Sequence, residues 1–158
     1  MQDVSSSPAA SQSVAPRGAR ALGIVAIGVT LLIVAYWTIW YGGGRELLAS
    51  SHTREYLAFE NAFPAADAWL ALTAFIAGVQ LLRGRSSAIF WLFLTAGSGL
   101  YLGLMDVLFD LENGIYLVSR GGDPVAIGIE IAINILTFAL SLVVLLWAWR
   151  NRGWMTSA

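Results

Sequence analysis

Apolar residues gather along the chain into four long stretches, residues 21–41, 63–82, 86–111 and 125–149, separated by polar segments. The first stretch carries no charge, and about 20 apolar residues are what a helix needs to cross a bilayer core. It outruns the apolar region of a cleaved signal peptide, about 7–15 residues. It also ends in Tyr36-Trp37-Thr38-Ile39-Trp40-Tyr41, an interfacial aromatic belt and not a small-residue cleavage site. The pattern therefore predicts a retained first span with three more behind it. Pro64 and Pro124 open the second and fourth stretches, in the first helical turn, where the missing N–H would be unsatisfied anyway. Only Arg83-Gly84-Arg85-Ser86 joins the second to the third, which makes those two an antiparallel hairpin. The expected fold class is an all-α integral membrane protein, an antiparallel bundle of four transmembrane helices over residues 21–150. Residues 1–20, rich in Ser, Ala, Gln and Pro, predict a disordered tail, and residues 151–158 a second tail.

Composition strengthens this picture and excludes much chemistry. Hydrophobic residues make up 58% of the 158 and charged residues 12%, with a mean hydropathy of +0.70; a soluble domain carries about 25% charged residues. The chain has no cysteine and no lysine, so disulfides, thiolate metal sites, Schiff bases and the phosphate-loop lysine are all absent. A net charge of −1 gives no basic footprint for nucleic acid.

Arginines set the expected orientation. Arg17, Arg20, Arg83, Arg85, Arg150 and Arg152 fall on one side, and Arg45, Arg54 and Arg120 on the other. The positive-inside rule then puts both termini and the short hairpin loop in the cytoplasm. Of the acids, only Asp3 is cytoplasmic; the other nine lie in or near the outer half. The all-arginine complement associates the chain with a GC-rich bacterial genome, hence with a bacterial inner (plasma) membrane.

Polar residues inside the spans are the informative ones, because hydrocarbon rejects them. In the fourth stretch Glu130, Asn134, Thr137 and Ser141 recur at i, i+4, i+7 and i+11, a single stripe about 60° wide. In the third, Gly99, Gly103, Asp106 and Asp110 share one face, and the glycines allow close helix approach. The second repeats the arrangement with Asp67 above Ala71, Ala74 and Gly78, and the first offers Thr30, Val34, Trp37 and Tyr41. Stacked together, these faces predict an outward-facing acidic vestibule lined by Asp67, Asp106, Asp110, Glu130 and Asn134. Glu60, Asn61, Glu112, Asn113, Trp37 and Tyr41 would stand at its mouth. The loop of residues 42–62 starts Gly42-Gly43-Gly44 and spaces Tyr56, Phe59 and Phe63 at i, i+3, i+7, which suits a short interfacial helix folding back as a partial lid.

Several like charges in a low-dielectric site are relieved by protons, a cation or an arginine, and Arg54 and Arg120 are the internal counterions on offer. Plainer roles compete. Asp106 and Asp110 also suit headgroup water, Glu130 and Asn134 suit interhelical hydrogen bonding, and Asp67 suits a helix N-terminus. His52, the sole histidine, reads as a solvated loop residue, and Trp147-Ala148-Trp149-Arg150 as an interfacial anchor. In architecture alone the arrangement resembles the sterol-isomerase and sigma-2-receptor-like membrane proteins, and no motif aligns with them. Claudin-like proteins share the span count, but their extracellular cysteine pair is missing.

Convergence of acids on three helices favours a protein that binds or transports a cation or a protonated amphipathic ligand. Alternatives are an accessory subunit docking a membrane partner through the Gly99/Gly103 face, and a lipid-modifying enzyme using paired carboxylates. The sequence assigns no catalytic residue, cofactor or specific metal. Its expected partners are the lipid bilayer and a cation, amine or lipid ligand, with no nucleic acid.

Overall fold

The computed structural model describes residues 15–117 and 123–156; most of the tail expected at residues 1–20, and Arg120, lie outside them. Helix α1 (Ala19–Ile39) starts behind Gly18, whose φ of 81° only glycine adopts readily. The expected tail thus gives way to helix at Ala19. The chain leaves α1 through a wide turn, Trp40–Gly44, that breaks at Gly43, φ 101°. Two short helices follow, α2 (Arg45–Leu48) and α3 (Arg54–Glu60). Thr53 caps α3, its hydroxyl accepting from the Tyr56 amide at 3.2 Å.

Three long helices complete the chain. Helix α4 (Pro64–Leu82) opens on Pro64, and α5 (Ala88–Asn113) ends at Gly114 in the left-handed conformation. Helix α6 (Pro124–Arg150) is capped by Asp123, whose carboxylate accepts from the Val125 amide at 2.8 Å. A single 3₁₀ turn, Arg152–Thr156, follows. α1, α4, α5 and α6, counting the short helices that adjoin the first two, are each long and apolar enough to cross a membrane. The architecture is almost entirely helical, four long apolar helices in a bundle.

Packing runs serially, α1 on α4, α4 on α5 and α5 on α6. Between α1 and α4 the close approach is Gly23 to Gly78. A Cβ on Gly78 would stand 2.9 Å from the Gly23 carbonyl oxygen, and one on Gly23 would stand 3.1 Å from that of Gly78. Thr30 reinforces the crossing by donating to the Ala71 carbonyl at 3.1 Å. Between α5 and α6, a Cβ on Gly99 would collide with the Ser141 hydroxyl, and one on Gly103 would press on Phe138 and Thr137. The Gly99/Gly103 face expected to receive a partner protein is therefore occupied by α6 of the same chain.

Two apolar cores close the ends of the bundle. At the end holding the start of α1, the end of α6 and the α4–α5 hairpin, Ala19, Ala77, Leu81, Ile89, Leu92 and Ala148 pack together with Trp154. Trp154, within the second tail expected at residues 151–158, is buried against this core. At the opposite end, here termed the loop end, Trp40, Ala49, Tyr56 and Ile115 form a second core flanked by Tyr36, Trp37 and Phe109. The outer surface is apolar, with Leu31, Leu32, Leu104 and Ile135 all more than 60% exposed or at that value. Such a surface suits hydrocarbon and would drive association in water.

Candidate functional site: a roofed carboxylate cluster

Between the two cores, towards the loop end, lies a polar layer. Glu60 ends α3, Asp106 lies two turns before the end of α5, and Glu130 lies in the second turn of α6. One carboxylate oxygen from each of the three lies within 4.8 Å of the other two. Glu60 and Glu130 are each only 7% exposed, and Asp106 is half-buried. Among the described residues no arginine pairs with them. Arg54, one of the two counterions that the sequence offered, is exposed, and the acid–base contact found among the described residues is a surface one, His52 Nε2 to Glu46 Oε2 at 2.8 Å.

Neutral donors surround the acids instead. Glu130 Oε2 accepts from the Ser50 hydroxyl at 2.7 Å and from the Tyr56 phenol at 3.3 Å. Glu60 Oε2 faces the Tyr36 phenol at 3.5 Å. The Asn134 amide donates to Asp110 Oδ2 at 3.2 Å and to the Tyr116 oxygen at 2.9 Å. Burial, and after it the neighbouring Asp110 carboxylate, push the Tyr116 phenol up from its usual range, so it stays protonated. That phenol stands beside the Asp110 carboxylate, whose other oxygen, Oδ1, is buried with no closer partner among the described residues.

The sequence-derived residues divide into three groups. Asp106, Asp110, Glu130 and Asn134 lie in the polar layer. Asp67 stands to one side, its carboxylate taking the Trp37 indole N–H at 2.9 Å. Tyr41, Asn61, Glu112 and Asn113 are exposed at the periphery, where Tyr41 stacks on Trp37 and Asn61 accepts from the Trp40 indole at 3.3 Å. Glu60, expected at the mouth, is drawn inside with Asp106 and Glu130. The expected open vestibule is roofed, because Ser50 and Tyr56 fold over Glu130 and Phe59 stacks on Phe109 at 3.8 Å between ring centroids. Ser50, Tyr36 and Tyr116 carry no periodic signal as site residues. Tyr56 did show one, but only as an apolar position.

Three carboxylates converging with no arginine among the described residues form an oxygen-rich nest. Oxygens bound to one Ca²⁺ at about 2.3–2.6 Å stand at most about 5 Å apart, so the spacing here fits a hard cation. A second feature lies alongside, an open groove of about 590 Å³ between α5 and α6. Its walls are apolar (Val107, Ile131, Ile135, Phe138 and Leu142 among them), and Asn134 and Tyr116 are its polar lining. Compared with known protein families, with curated proteins and with solved structures, the chain matches none.

Proposed function

We propose that the chain is a bacterial inner-membrane protein with both termini in the cytoplasm, which binds a hard divalent cation at its outer end. Glu60, Asp106 and Glu130 would supply the charge, and the Ser50 and Tyr56 hydroxyls would orient Glu130. The observation that carries this reading is the convergence of three carboxylates from three separate elements, two of them buried and the third half-buried, with no arginine among the described residues paired to them. Bringing three like charges together in a low-dielectric site is costly, and a cation between them relieves that cost as protonation would.

Thermal denaturation of the purified chain in detergent tests it, with Ca²⁺, Mn²⁺ or Mg²⁺ compared against Na⁺ at equal ionic strength. A cation at 100 times its Kd stabilises by about 2.7 kcal/mol, and Glu60→Gln, Asp106→Asn and Glu130→Gln should each abolish most of that gain. Equal stabilisation of all three variants, or none of the native chain by any divalent ion, overturns the reading. A second reading, a protonated long-chain amine, is favoured by the apolar groove whose polar lining, Asn134, is bonded to Asp110. Stabilisation by dodecylamine but by no metal ion would select it.

A further inference from the structure

We propose that the end of the bundle carrying the α4–α5 hairpin binds anionic phospholipids, holding their phosphate groups with arginines of the hairpin and of the turn that follows α6. The inference rests on the membrane-spanning reading and owes nothing to the cation site, which lies towards the other end. Its first observation is charge. Arg17, Arg20, Arg83, Arg85, Arg150 and Arg152 are all exposed at the hairpin end, and none forms an ion pair among the described residues. Every described acid lies in the half towards the loop end, from Asp67 in the first turn of α4 to Glu130 in the second turn of α6. The hairpin end is therefore cationic, and no described residue neutralises it.

The second observation is that these charges stand on fixed backbone, which the positive-inside rule does not require. Helix α4 ends in a Schellman turn. The Arg85 amide donates to the Gln80 carbonyl at 2.9 Å and the Gly84 amide to that of Leu81 at 3.1 Å, with Gly84 at φ 64°. The Ala88 amide then donates to the Arg85 carbonyl at 3.1 Å, and α5 begins. Arg83 and Arg85 are thus held on either side of a single glycine. After α6, the Trp154 amide donates to the Asn151 carbonyl at 2.9 Å, and Trp154 is buried in one core with Ala19, Ala88 and Ile89. That core docks the turn carrying Arg152 onto the start of α5, directly after the hairpin.

The third observation is what borders the arginines. Leu82, Phe90, Leu146 and Trp149 are exposed beside them and end the apolar outer surface there. Arg152 lies over the Trp149 ring, 4.1 Å from its centroid, and donates to the Trp149 carbonyl at 2.7 Å. An apolar rim giving way to unpaired guanidinium groups matches the profile of a bilayer, where acyl chains give way to phosphates. The planar guanidinium pairs its N–H groups with phosphate oxygens bidentately. An anionic headgroup adds a net attraction to the basic surface that a zwitterionic one lacks.

The test uses the full chain purified in a nonionic detergent, where membrane orientation plays no part. Phosphatidylglycerol and phosphatidylcholine of matched chain length are titrated in, and bound lipid is counted by native mass spectrometry. Three double variants each lose two positive charges: Arg83→Gln with Arg85→Gln, Arg150→Gln with Arg152→Gln, and, at the loop end, Arg45→Gln with Arg54→Gln. The native chain and the loop-end variant should both prefer phosphatidylglycerol. Each hairpin-end variant should bind it less tightly by about fivefold per arginine removed. Equal binding of the two lipids, equal loss in all three variants, or full preference kept by either hairpin-end variant overturns the proposal. Inorganic phosphate added as competitor should leave the lipid bound; displacement would make a free anion the ligand and overturn the lipid surface. Quenching of tryptophan fluorescence by brominated phosphatidylglycerol tests the unmodified chain. It should weaken as salt is raised, because screening weakens exposed charge pairs. Quenching that ignores salt would mean that acyl-chain contact alone holds the lipid, and the arginine surface would be abandoned.

Discussion

Asn134 uses one amide nitrogen to serve two neighbours, Asp110 and Tyr116, and is itself 4% exposed. Removing the donor while keeping the bulk, as in Asn134→Leu, takes the amide away from the buried Asp110 and leaves it only the Tyr116 phenol. A buried polar group stripped of its partner costs about 1–3 kcal/mol, whereas replacing both partners by apolar groups can be nearly neutral. Asn134→Leu should therefore destabilise by that amount in thermal denaturation, and Asn134→Leu with Asp110→Leu should recover most of the loss. Strict additivity of the two changes would show that the residues do not act as a pair. This pair was legible in the sequence, because helical periodicity alone puts Glu130, Asn134 and Ser141 on one face, and all three are buried. Glu60 was not. Pro64 disfavours helical geometry at the residue before it, so the phase between α3 and α4 could not be carried back to Glu60. Phe63 in fact keeps helical angles (φ −76°, ψ −28°), and that continuity directs Glu60 inward. The pairing of Trp37 with Asp67 was also unreadable, since it depends on which helices become neighbours.

Helix crossings show a similar division. The small face of α4 was legible down to Gly78, as was the glycine face of α5, because small residues four apart stand out against Leu, Ile and Phe. Gly23 was not singled out. α1 is apolar on every side, and a helix without a polar stripe gives periodicity nothing to phase. Only the crossing partner reveals that Gly23 faces α4 while Gly28 faces open space. The contrast yields a test at the scale of the element. Gly78→Leu forces a side chain against the Gly23 backbone and Ile27 and should cost about 1–3 kcal/mol, the usual range for overpacking. Gly28→Leu adds a side chain where nothing stands within 4 Å and should leave thermal stability unchanged or slightly raised, since leucine is the better helix former. Equal losses in the two variants would mean that close backbone approach does not hold α1 to α4.

For the whole molecule, the decisive quantity is orientation, because it determines which compartment the carboxylates meet. Arg83, Arg85, Arg150 and Arg152 lie at the end that also holds Trp154 and the α4–α5 hairpin, while Glu60, Asp106 and Glu130 lie towards the other. Arginine-rich segments resist translocation and acids contribute little to that choice, so the hairpin end should stay in the cytoplasm and α2 and α3 should lie outside. Ala58 on α3 and Ser87 before α5 are both exposed, and each can be made the sole thiol of the chain. In intact spheroplasts, an impermeant maleimide should label Ala58→Cys at once and Ser87→Cys only after the membrane is permeabilised. The reverse pattern would invert the bundle. The cluster would then face cytoplasmic solution, where free Ca²⁺ is scarce and Mg²⁺ dominates. Mg²⁺ demands shorter bonds, about 2.0–2.1 Å, in near-octahedral geometry and keeps several of its waters. Three converging carboxylates suit that ion less well than Ca²⁺, so the labelling pattern also decides which cation the site should be tested with first.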